Sequence, residues 1–153
     1  ELKGENVFQG YWRMKEKTEE AFKKDGFFIT GDLAQKDESG YFTIVGRDKD
    51  MIISGGLNVY PKEIEDVLNE LPNVLESAVF GVRHNDFGEA VVAAVVVNDD
   101  KNDENQIIDF TKDKIAKYKQ PKKIIFMDNL PRNSMGKVQK NLLRKNNQNL
   151  FKG

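Results

Sequence analysis

The sequence predicts an α+β protein in which a small three-stranded sheet is covered by helices. Two runs rich in β-branched residues, 74–82 and 89–97, have the length and composition of strands. Between residues 61 and 71, apolar side chains recur at the three- and four-residue spacing of an amphipathic helix. The Gly-Gly pair at 55–56 separates two short apolar runs, which predicts a two-stranded hairpin ahead of the sheet.

The first 46 residues alternate short apolar runs with turn residues. We expect Thr18 to cap a short helix that ends near Lys24, followed by a strand at 27–30. A turn at 37–40 then leads into a strand at 41–45. This part has too many large apolar side chains for a solvated tail and too few for an independent core. We therefore expect a β-rich remnant of a larger domain.

From residue 50 onward, the predicted order of elements is ββ-α-β-β-α-β-α. Pro61 favours the first position of a helix, and Asp103 is expected to cap a second helix that runs to about Lys117. A third strand is predicted at 124–126 and a terminal helix at 137–146, with apolar residues on one side. This order is typical of an α+β domain in which helices cover one small sheet.

Composition excludes several kinds of site. The 153 residues contain no cysteine, which excludes thiol nucleophiles, disulfides and thiolate metal ligands. The single histidine, His84, cannot form a two-histidine zinc site, and no metal site is expected. No run approaches the ~20 apolar residues of a membrane-spanning helix, and residues 1–6 lack the pattern of a secretory signal. We therefore expect a cytoplasmic protein without membrane partners.

The net charge of −1 hides a strong asymmetry. Residues 117–153 carry ten positive side chains against the single acidic Asp128, a balance of +9, whereas the remaining residues sum to −10. Such a segment is either a solvated lysine-rich surface or a surface for a phosphate-rich partner, and a basic nucleic-acid-binding module is one alternative function. However, Tyr118 and Phe126 are the only aromatic residues of 117–150, so specific nucleic-acid binding is not expected.

Three separate blocks of sequence point to one family. Residues 28–32 are Phe-Ile-Thr-Gly-Asp, residues 46–65 begin Gly-Arg-Asp-Lys-Asp and contain Ser-Gly-Gly, and residues 131–137 are Pro-Arg-Asn-Ser-Met-Gly-Lys. In this order and at this spacing, they resemble the adenylate-forming (acyl-CoA synthetase, AMP-binding) superfamily. The resemblance is closest to malonyl-CoA synthetases, through blocks such as 58–65 and 130–140.

The resemblance implies a division of the chain into three parts. Residues 1–46 correspond to the end of the large N-terminal domain, residues 47–49 to a hinge, and residues 50–153 to the C-terminal lid domain. Lys49 takes the hinge position, where other members of the family have aspartate. The missing N-terminal domain is an expected partner, and the strand edges of residues 1–46 are expected to permit self-association.

Three residues correspond to adenylation and nucleotide-binding positions of the family. Lys137 corresponds to the adenylation lysine, whose ammonium offsets the negative charge that builds when a carboxylate meets the α-phosphate of ATP. Asp32 corresponds to the aspartate that accepts hydrogen bonds from the ribose hydroxyls, and Arg47 to an arginine near the ribose or phosphates. From the residues alone, Lys137 is one more surface lysine, and Arg47 is equally suited to pair with Asp48 or Asp50.

Other positions correspond to the coenzyme A site of the family. Ser54, Gly55 and Gly56 correspond to the loop that lines the pantetheine channel, where side chains would obstruct the narrow arm. The same residues also make a good hairpin turn. Lys119, in the block Lys-Tyr-Lys-x-Pro, is a further candidate for contact with CoA phosphates.

The resemblance implies an ATP-dependent acid–CoA ligase. The acid, malonate or a related one, first forms an acyl-adenylate with ATP and Mg²⁺, whose site is expected mainly in the missing domain. CoA then attacks the adenylate after the lid has rotated. The isolated chain is expected to be inactive, because most substrate contacts belong to the missing domain. An alternative is the lid of an adenylation domain that loads a carrier protein.

Overall fold

The computed structural model describes residues 1–98 and 103–152. The chain divides into two compact units, Glu1–Lys49 and Asp50–Gly153. We call them unit 1 and unit 2.

Unit 1 contains one helix and one two-stranded sheet. Helix α1 spans Lys15–Ala21, and strands β1 (Asp32–Lys36) and β2 (Phe42–Arg47) pair antiparallel. The Tyr41 N–H donates to Asp37 Oδ1 at 2.9 Å and closes the turn between the strands. None of residues 1–49, all of which the structure describes, is buried.

Two local expectations for unit 1 need correction, and one strand was not expected. Helix α1 begins three residues before Thr18, whose hydroxyl donates to the Met14 carbonyl inside the helix instead of capping it. Residues 27–30 form no strand, and only isolated bridges connect Phe28 with its neighbours. Strand β1 was not predicted, since neither of its faces is buried and no alternation of apolar residues marks it.

The elements of unit 2 follow the predicted order, which is thereby confirmed. They are β3 Ile52–Ser54, β4 Leu57–Val59, α2 Pro61–Leu68, β5 Val74–His84, β6 Gly88–Val97, α3 Glu104–Lys112, β7 Lys123–Phe126 and α4 Lys140–Asn146. The N-cap of α3 is also as predicted, because Asp103 Oδ1 accepts the Asn105 N–H at 3.0 Å. Helix α3 ends five residues earlier than expected, and a short 3₁₀ turn covers Lys117–Lys119.

The predicted α+β class is confirmed, with one difference in the sheet. Strand β6 pairs antiparallel with β5 on one side. On its other side, β6 pairs in parallel with β7, and it also contacts β3 through the single bridge Ser54↔Gly88. The β3–β4 hairpin therefore belongs to one five-stranded sheet instead of standing apart from a three-stranded one.

The hairpin is held against the sheet by the side chain of Glu89. Its Oε2 accepts the Ile53 N–H at 2.9 Å. Gly81 makes room for this carboxylate, since a Cβ at that position would lie 2.6 Å from Glu89 Oε1. A glycine in β5 and a glutamate in β6 thus join the hairpin to the sheet.

Strand β6 is buried on both faces, which explains its continuous run of apolar residues. Alternate residues of this strand contribute to two hydrophobic clusters. Helices α2 and α3 cover the first cluster, of which Ile64, Leu68, Val79, Val91 and Ile107 are members. Helix α4 covers the second, which includes Phe80, Val92, Leu130 and Leu143. The core of unit 2 therefore has two layers of side chains around one sheet.

Glutamates from two helices close the edges of the sheet. Glu65 of α2 accepts the Val79 N–H at 2.7 Å and pairs with Lys140 Nζ at 2.7 Å. Glu104 of α3 accepts the Ile124 N–H of β7 at 2.9 Å. Such contacts satisfy backbone groups that would otherwise be open to pairing with another strand. Helices α2 and α3 are in this way fixed to opposite margins of the sheet.

In residues 1–98 and 103–152, no helix has the length and apolar character required to cross a membrane.

Candidate functional site

Lys137 lies at the end of a hairpin-like loop that precedes α4. The Gln139 N–H donates to the Pro131 carbonyl at 2.8 Å, and Arg132 and Val138 form an antiparallel bridge. This bridge explains why α4 begins at Lys140 and not at Lys137 as expected. The side chain of Lys137 is exposed and has no ion-pair partner in the part of the chain that the structure describes. The loop therefore presents a free ammonium group to solvent.

The peptide group before Lys137 is held on both sides. Its carbonyl oxygen, on Gly136, accepts from Arg132 Nη1 at 2.7 Å. Its N–H, on Lys137, donates to Asn133 Oδ1 at 2.9 Å, and the same oxygen accepts the Met135 N–H at 3.0 Å. Gly136 has a φ of 78°, which glycine adopts without strain. The backbone at Lys137 is thus fixed although its side chain is free.

Asp32 and Arg47, the two predicted nucleotide-binding residues, lie next to each other in unit 1. They are paired in register at the end of the β1–β2 sheet, and Arg47 Nε lies 3.0 Å from Asp32 Oδ1. Arg47 therefore pairs with neither Asp48 nor Asp50. The Asp32 N–H also donates to Thr30 Oγ1 at 3.0 Å, which closes the turn before β1. The two charged groups form one compact pair that remains partly exposed.

Lys49 is exposed in a short 3₁₀ turn, Asp48–Asp50, at the boundary between the two units. The next residue, Asp50, is anchored in unit 2. Its backbone carbonyl accepts from Arg144 Nη2 at 3.4 Å, and its carboxylate lies 3.5 Å from the same nitrogen. The compact body of unit 2 therefore begins directly after Lys49.

Ser54, Gly55 and Gly56 form the turn between β3 and β4. Gly55 and Gly56 have φ angles of 59° and 79°, the left-handed values that a two-residue hairpin turn requires. Ser54 is buried, whereas both glycines are exposed. The Gly55 N–H donates to the Phe87 carbonyl at 2.9 Å, which ties the turn to the loop between β5 and β6. The turn offers bare backbone at one end of the sheet.

Lys119 is engaged in an ion pair. Its Nζ lies 2.7 and 2.8 Å from the two carboxylate oxygens of Glu63. The hydrogen bond to Glu63 raises the pKa of Lys119 above its ordinary value, in spite of the opposing effect of partial burial. Contact with a phosphate would require Lys119 to leave this partner.

Lys122 is better placed than Lys119 for contact with a phosphate, although no sequence pattern singled it out. It is exposed, has no ion-pair partner among the described residues, and its Nζ lies 5.4 Å from the centre of the Phe87 ring. Phe87 is the residue whose carbonyl binds the Gly55 N–H. Lys122 comes directly after the block Lys-Tyr-Lys-x-Pro, so the sequence places it near Lys119. The sequence does not show that Lys119 pairs with Glu63, and this pairing is the reason to prefer Lys122.

Half of the cations in residues 117–152 are neutralised by acidic residues from other parts of unit 2. The pairs are Lys119–Glu63, Lys123–Glu104, Arg132–Glu76, Lys140–Glu65 and Arg144–Asp50. The charge of +9 therefore overstates the free positive charge of this segment.

His84 serves local structure, because its Nδ1 accepts the Asp86 N–H at 3.1 Å and its ring packs against Phe87 and Phe151.

The Lys137 loop and the glycine turn lie at opposite ends of the sheet. Arg132 of the loop pairs with Glu76, which is opposite Val96 near the end of β6. Ser54 pairs with Gly88 at the start of β6. At a rise of about 3.3 Å per residue, these two positions of β6 are about 26 Å apart.

Within residues 1–98 and 103–152, no group of three or more His, Asp or Glu is placed to hold a metal ion.

Comparison with known proteins identifies the family. The family model described as the AMP-binding enzyme C-terminal domain matches residues 63–137, which include α2, the sheet from β5 onward and the Lys137 loop. This match extends over 75 of the 153 residues, all of them in unit 2. The resemblance to the adenylate-forming superfamily is thereby confirmed.

Relatives of this chain include proteins named as CoA ligases. Long-chain-fatty-acid–CoA ligase FadD13 of Mycobacterium tuberculosis is 44% identical over 143 residues, which are 94% of this chain and 28% of the relative. Malonate–CoA ligase of Arabidopsis thaliana is 39% identical over 160 residues, which cover 97% of this chain and 26% of that protein. The chain thus spans little more than a quarter of the length of these relatives.

A solved structure of similar fold is that of ATP-bound MatB from Rhodopseudomonas palustris. It has a TM-score of 0.88 and 56% sequence identity, and the match covers 98% of this chain and 30% of MatB. Because the match covers 98% of the chain, it includes nearly all residues of both units, and the α+β fold is shared along the chain.

Proposed function

We propose that this chain forms the C-terminal part of an ATP-dependent carboxylic acid–CoA ligase. The complete enzyme would join an acid to the α-phosphate of ATP with release of pyrophosphate. The thiol of CoA would then attack the acyl carbon of this adenylate and release AMP. The relatives named as CoA ligases and the ATP-bound structural neighbour support this proposal.

The main structural support is the separation of the two candidate surfaces within unit 2. The turn Ser54–Gly56 adjoins Gly88 of β6, and the Lys137 loop is tied to Glu76, which is opposite Val96. These two positions of β6 are about 26 Å apart at the strand rise of about 3.3 Å per residue. Because the two surfaces lie at opposite ends of the sheet, we infer that they do not contact one reacting carboxyl group at the same time. We infer that unit 2 presents them in turn, by rotation at Lys49, where the compact body of unit 2 begins.

In the first reaction, Lys137 is the proposed catalytic group. Its ammonium would lie between the attacking carboxylate and the α-phosphate and offset their mutual repulsion. Asp32 offers carboxylate oxygens that suit two ribose hydroxyls, and Arg47 beside it suits the ribose or a phosphate. Mg²⁺ would accompany ATP, with its site mainly in the large domain.

In the second reaction, the glycine turn would line the path of the pantetheine arm. Gly55 and Gly56 leave bare backbone at the surface, so a narrow chain can pass close to it. Lys122 lies beside this turn through its contact with Phe87. We propose that Lys122, instead of the paired Lys119, meets the phosphates of CoA.

Malonate or a related small acid is the proposed substrate. The 39% identity to a malonate–CoA ligase supports this choice. The acyl pocket itself would lie in the large domain, whereas the residues of this chain supply the adenylation lysine and the CoA surface.

The first test compares the chain alone with a hybrid enzyme. In the hybrid, residues 1–153 replace the segment that they match in the Arabidopsis malonate–CoA ligase. We expect the chain alone to form no CoA thioester from malonate, ATP and CoA, and the hybrid to form it, because positioning of the substrates depends on both parts. Thioester formation by the chain alone would contradict the proposal.

A second test concerns the coenzyme. In the hybrid, Lys122→Ala is expected to raise the KM for CoA about tenfold, since a hydrogen bond to a charged group is worth about 1.5 kcal/mol. Pyrophosphate release in the absence of CoA should not change. Lys145→Ala, which removes another exposed lysine of unit 2 without an ion-pair partner among the described residues, serves as the control. If both substitutions raise the KM for CoA equally, the effect comes from the net positive charge of unit 2 and not from a contact of Lys122 with CoA.

A further inference from the structure

We propose that Arg132 and Asn133 are positioning residues for Lys137, and that Glu76 orients Arg132. This inference rests on the proposed role of Lys137 in adenylation. Arg132 and Asn133 would not touch the substrate. They would fix the backbone from which the lysine side chain reaches the reacting groups.

The contacts converge on one peptide group. Arg132 Nη1 binds the Gly136 carbonyl at 2.7 Å, and Asn133 Oδ1 binds the Lys137 N–H at 2.9 Å. The Lys137 carbonyl in turn accepts the Asn133 N–H at 2.9 Å. Both backbone polar groups of Lys137 and the carbonyl before it are therefore occupied within the loop. Rotation of this peptide would break at least two of these bonds.

The loop is also tied to the sheet. Arg132 pairs through Nη2 with the carboxylate of Glu76, a residue of β5. One guanidinium thus joins the rigid strand to the carbonyl next to Lys137, because its planar group donates in two directions at once. Replacement by lysine would lose this geometry.

Fixation of the backbone matters because the side chain of Lys137 has no partner. A lysine has a flexible four-carbon stem and reaches many positions from one Cα. Catalytic groups must be held to within about 0.5 Å of the productive geometry. For Lys137 this constraint comes from the loop backbone until the substrate itself binds the ammonium.

Another interpretation is that these contacts only stabilise the loop fold. The two interpretations differ in a double-mutant cycle in the hybrid enzyme. Asn133→Ala is expected to slow acyl-adenylate formation 10- to 100-fold, with the KM for ATP changed less than threefold. It should leave thioester formation from a supplied acyl-adenylate unchanged. In the Lys137→Ala background, Asn133→Ala should cause no further loss, because its effect passes through Lys137.

Two further variants sharpen the kinetic test. Asn133→Thr keeps an oxygen that accepts backbone N–H groups and should restore most of the rate. Asn141→Ala, at an exposed position of α4, is the matched control and should have no effect. A further loss in the Lys137→Ala background, or the same loss from Asn141→Ala, would overturn the positioning role.

A second measurement uses the 153-residue chain itself and needs no activity. In ¹⁵N relaxation, the order parameter of the Lys137 amide is expected to be about 0.85 in the wild type and below about 0.6 in Asn133→Ala. Amides of β5 and β6 should keep their values. An unchanged order parameter at Lys137 would overturn the proposal, whatever the hybrid shows.

The two proposals fail in different ways. If Lys137→Ala leaves acyl-adenylate formation intact in the hybrid, the assigned function of Lys137 is wrong. If Lys137→Ala slows the reaction and Asn133→Ala does not, the function stands and the positioning role is wrong. If the hybrid is inactive, the order parameter of Lys137 alone decides whether Asn133 fixes the backbone.

Discussion

Replacement of Lys137 by alanine in the hybrid is expected to slow acyl-adenylate formation at least 100-fold. A fixed charge that stabilises the transition state contributes about 3 kcal/mol or more. The exposed ammonium of Lys137 has no partner among the described residues that could replace the substrate, so its full charge is available to the reaction. Pyrophosphate release from malonate and ATP, followed in a single turnover, measures this step.

The same substitution should spare the second reaction. In the proposed mechanism, thioester formation from a supplied malonyl-adenylate and CoA would use the surface around Gly55 and Lys122, at the other end of the sheet. Lys145→Ala is the control for the loss of one positive charge from unit 2. Equal slowing of both reactions by Lys137→Ala would refute the assignment of the two surfaces to two reactions.

The substitution Glu65→Ala is expected to destabilise unit 2 by about 3 kcal/mol. Glu65 and Lys140 are only 14% and 18% exposed, and Glu65 also accepts the Val79 N–H. Removal of one partner leaves the other charge largely buried and a backbone donor unsatisfied, and the loss of one partner of a buried pair costs about 3–5 kcal/mol. Urea unfolding of the chain, followed by far-UV circular dichroism, measures the free energy of unfolding.

A matched control lies on the same helix. Asp66→Ala removes the ion pair between Asp66 and Lys62, whose side chains are 57% and 56% exposed, and should cost less than about 0.5 kcal/mol. The double substitution Glu65→Ala with Lys140→Met should be more stable than Glu65→Ala alone, because no buried charge remains. If Glu65→Ala lowers the free energy of unfolding no more than Asp66→Ala does, the Glu65–Lys140 pair contributes no more to stability than an exposed ion pair.

The sequence was sufficient to predict most of unit 2. Strand β6 is buried on both faces and is therefore a continuous apolar run. Helix α2 is buried on one side and therefore shows helical apolar spacing. The turn Ser54–Gly56 and the Lys137 loop belong to contiguous motifs, so their positions along the chain were also predictable. These are features that depend on residues close in sequence.

The features that the sequence did not predict depend on distant partners. The pairing of Lys119 with Glu63 joins residues 56 positions apart, and no local pattern marks it. For the same reason, neither the joining of the hairpin to β6 through Glu89 nor the Glu65–Lys140 pair was expected. The late start of α4 has a local cause, because the bridge between Arg132 and Val138 prevails over the helical apolar spacing.

The absence of buried side chains in residues 1–49 has a calorimetric consequence. The heat capacity of unfolding rises with the apolar surface that becomes hydrated, at about 12–15 cal/mol/K per residue in an ordinary domain. Unit 1 hides only part of its apolar surface, whereas the two hydrophobic clusters of unit 2 hide nearly all of theirs. We therefore expect the heat absorbed on melting, and the curvature of stability with temperature, to come mainly from unit 2.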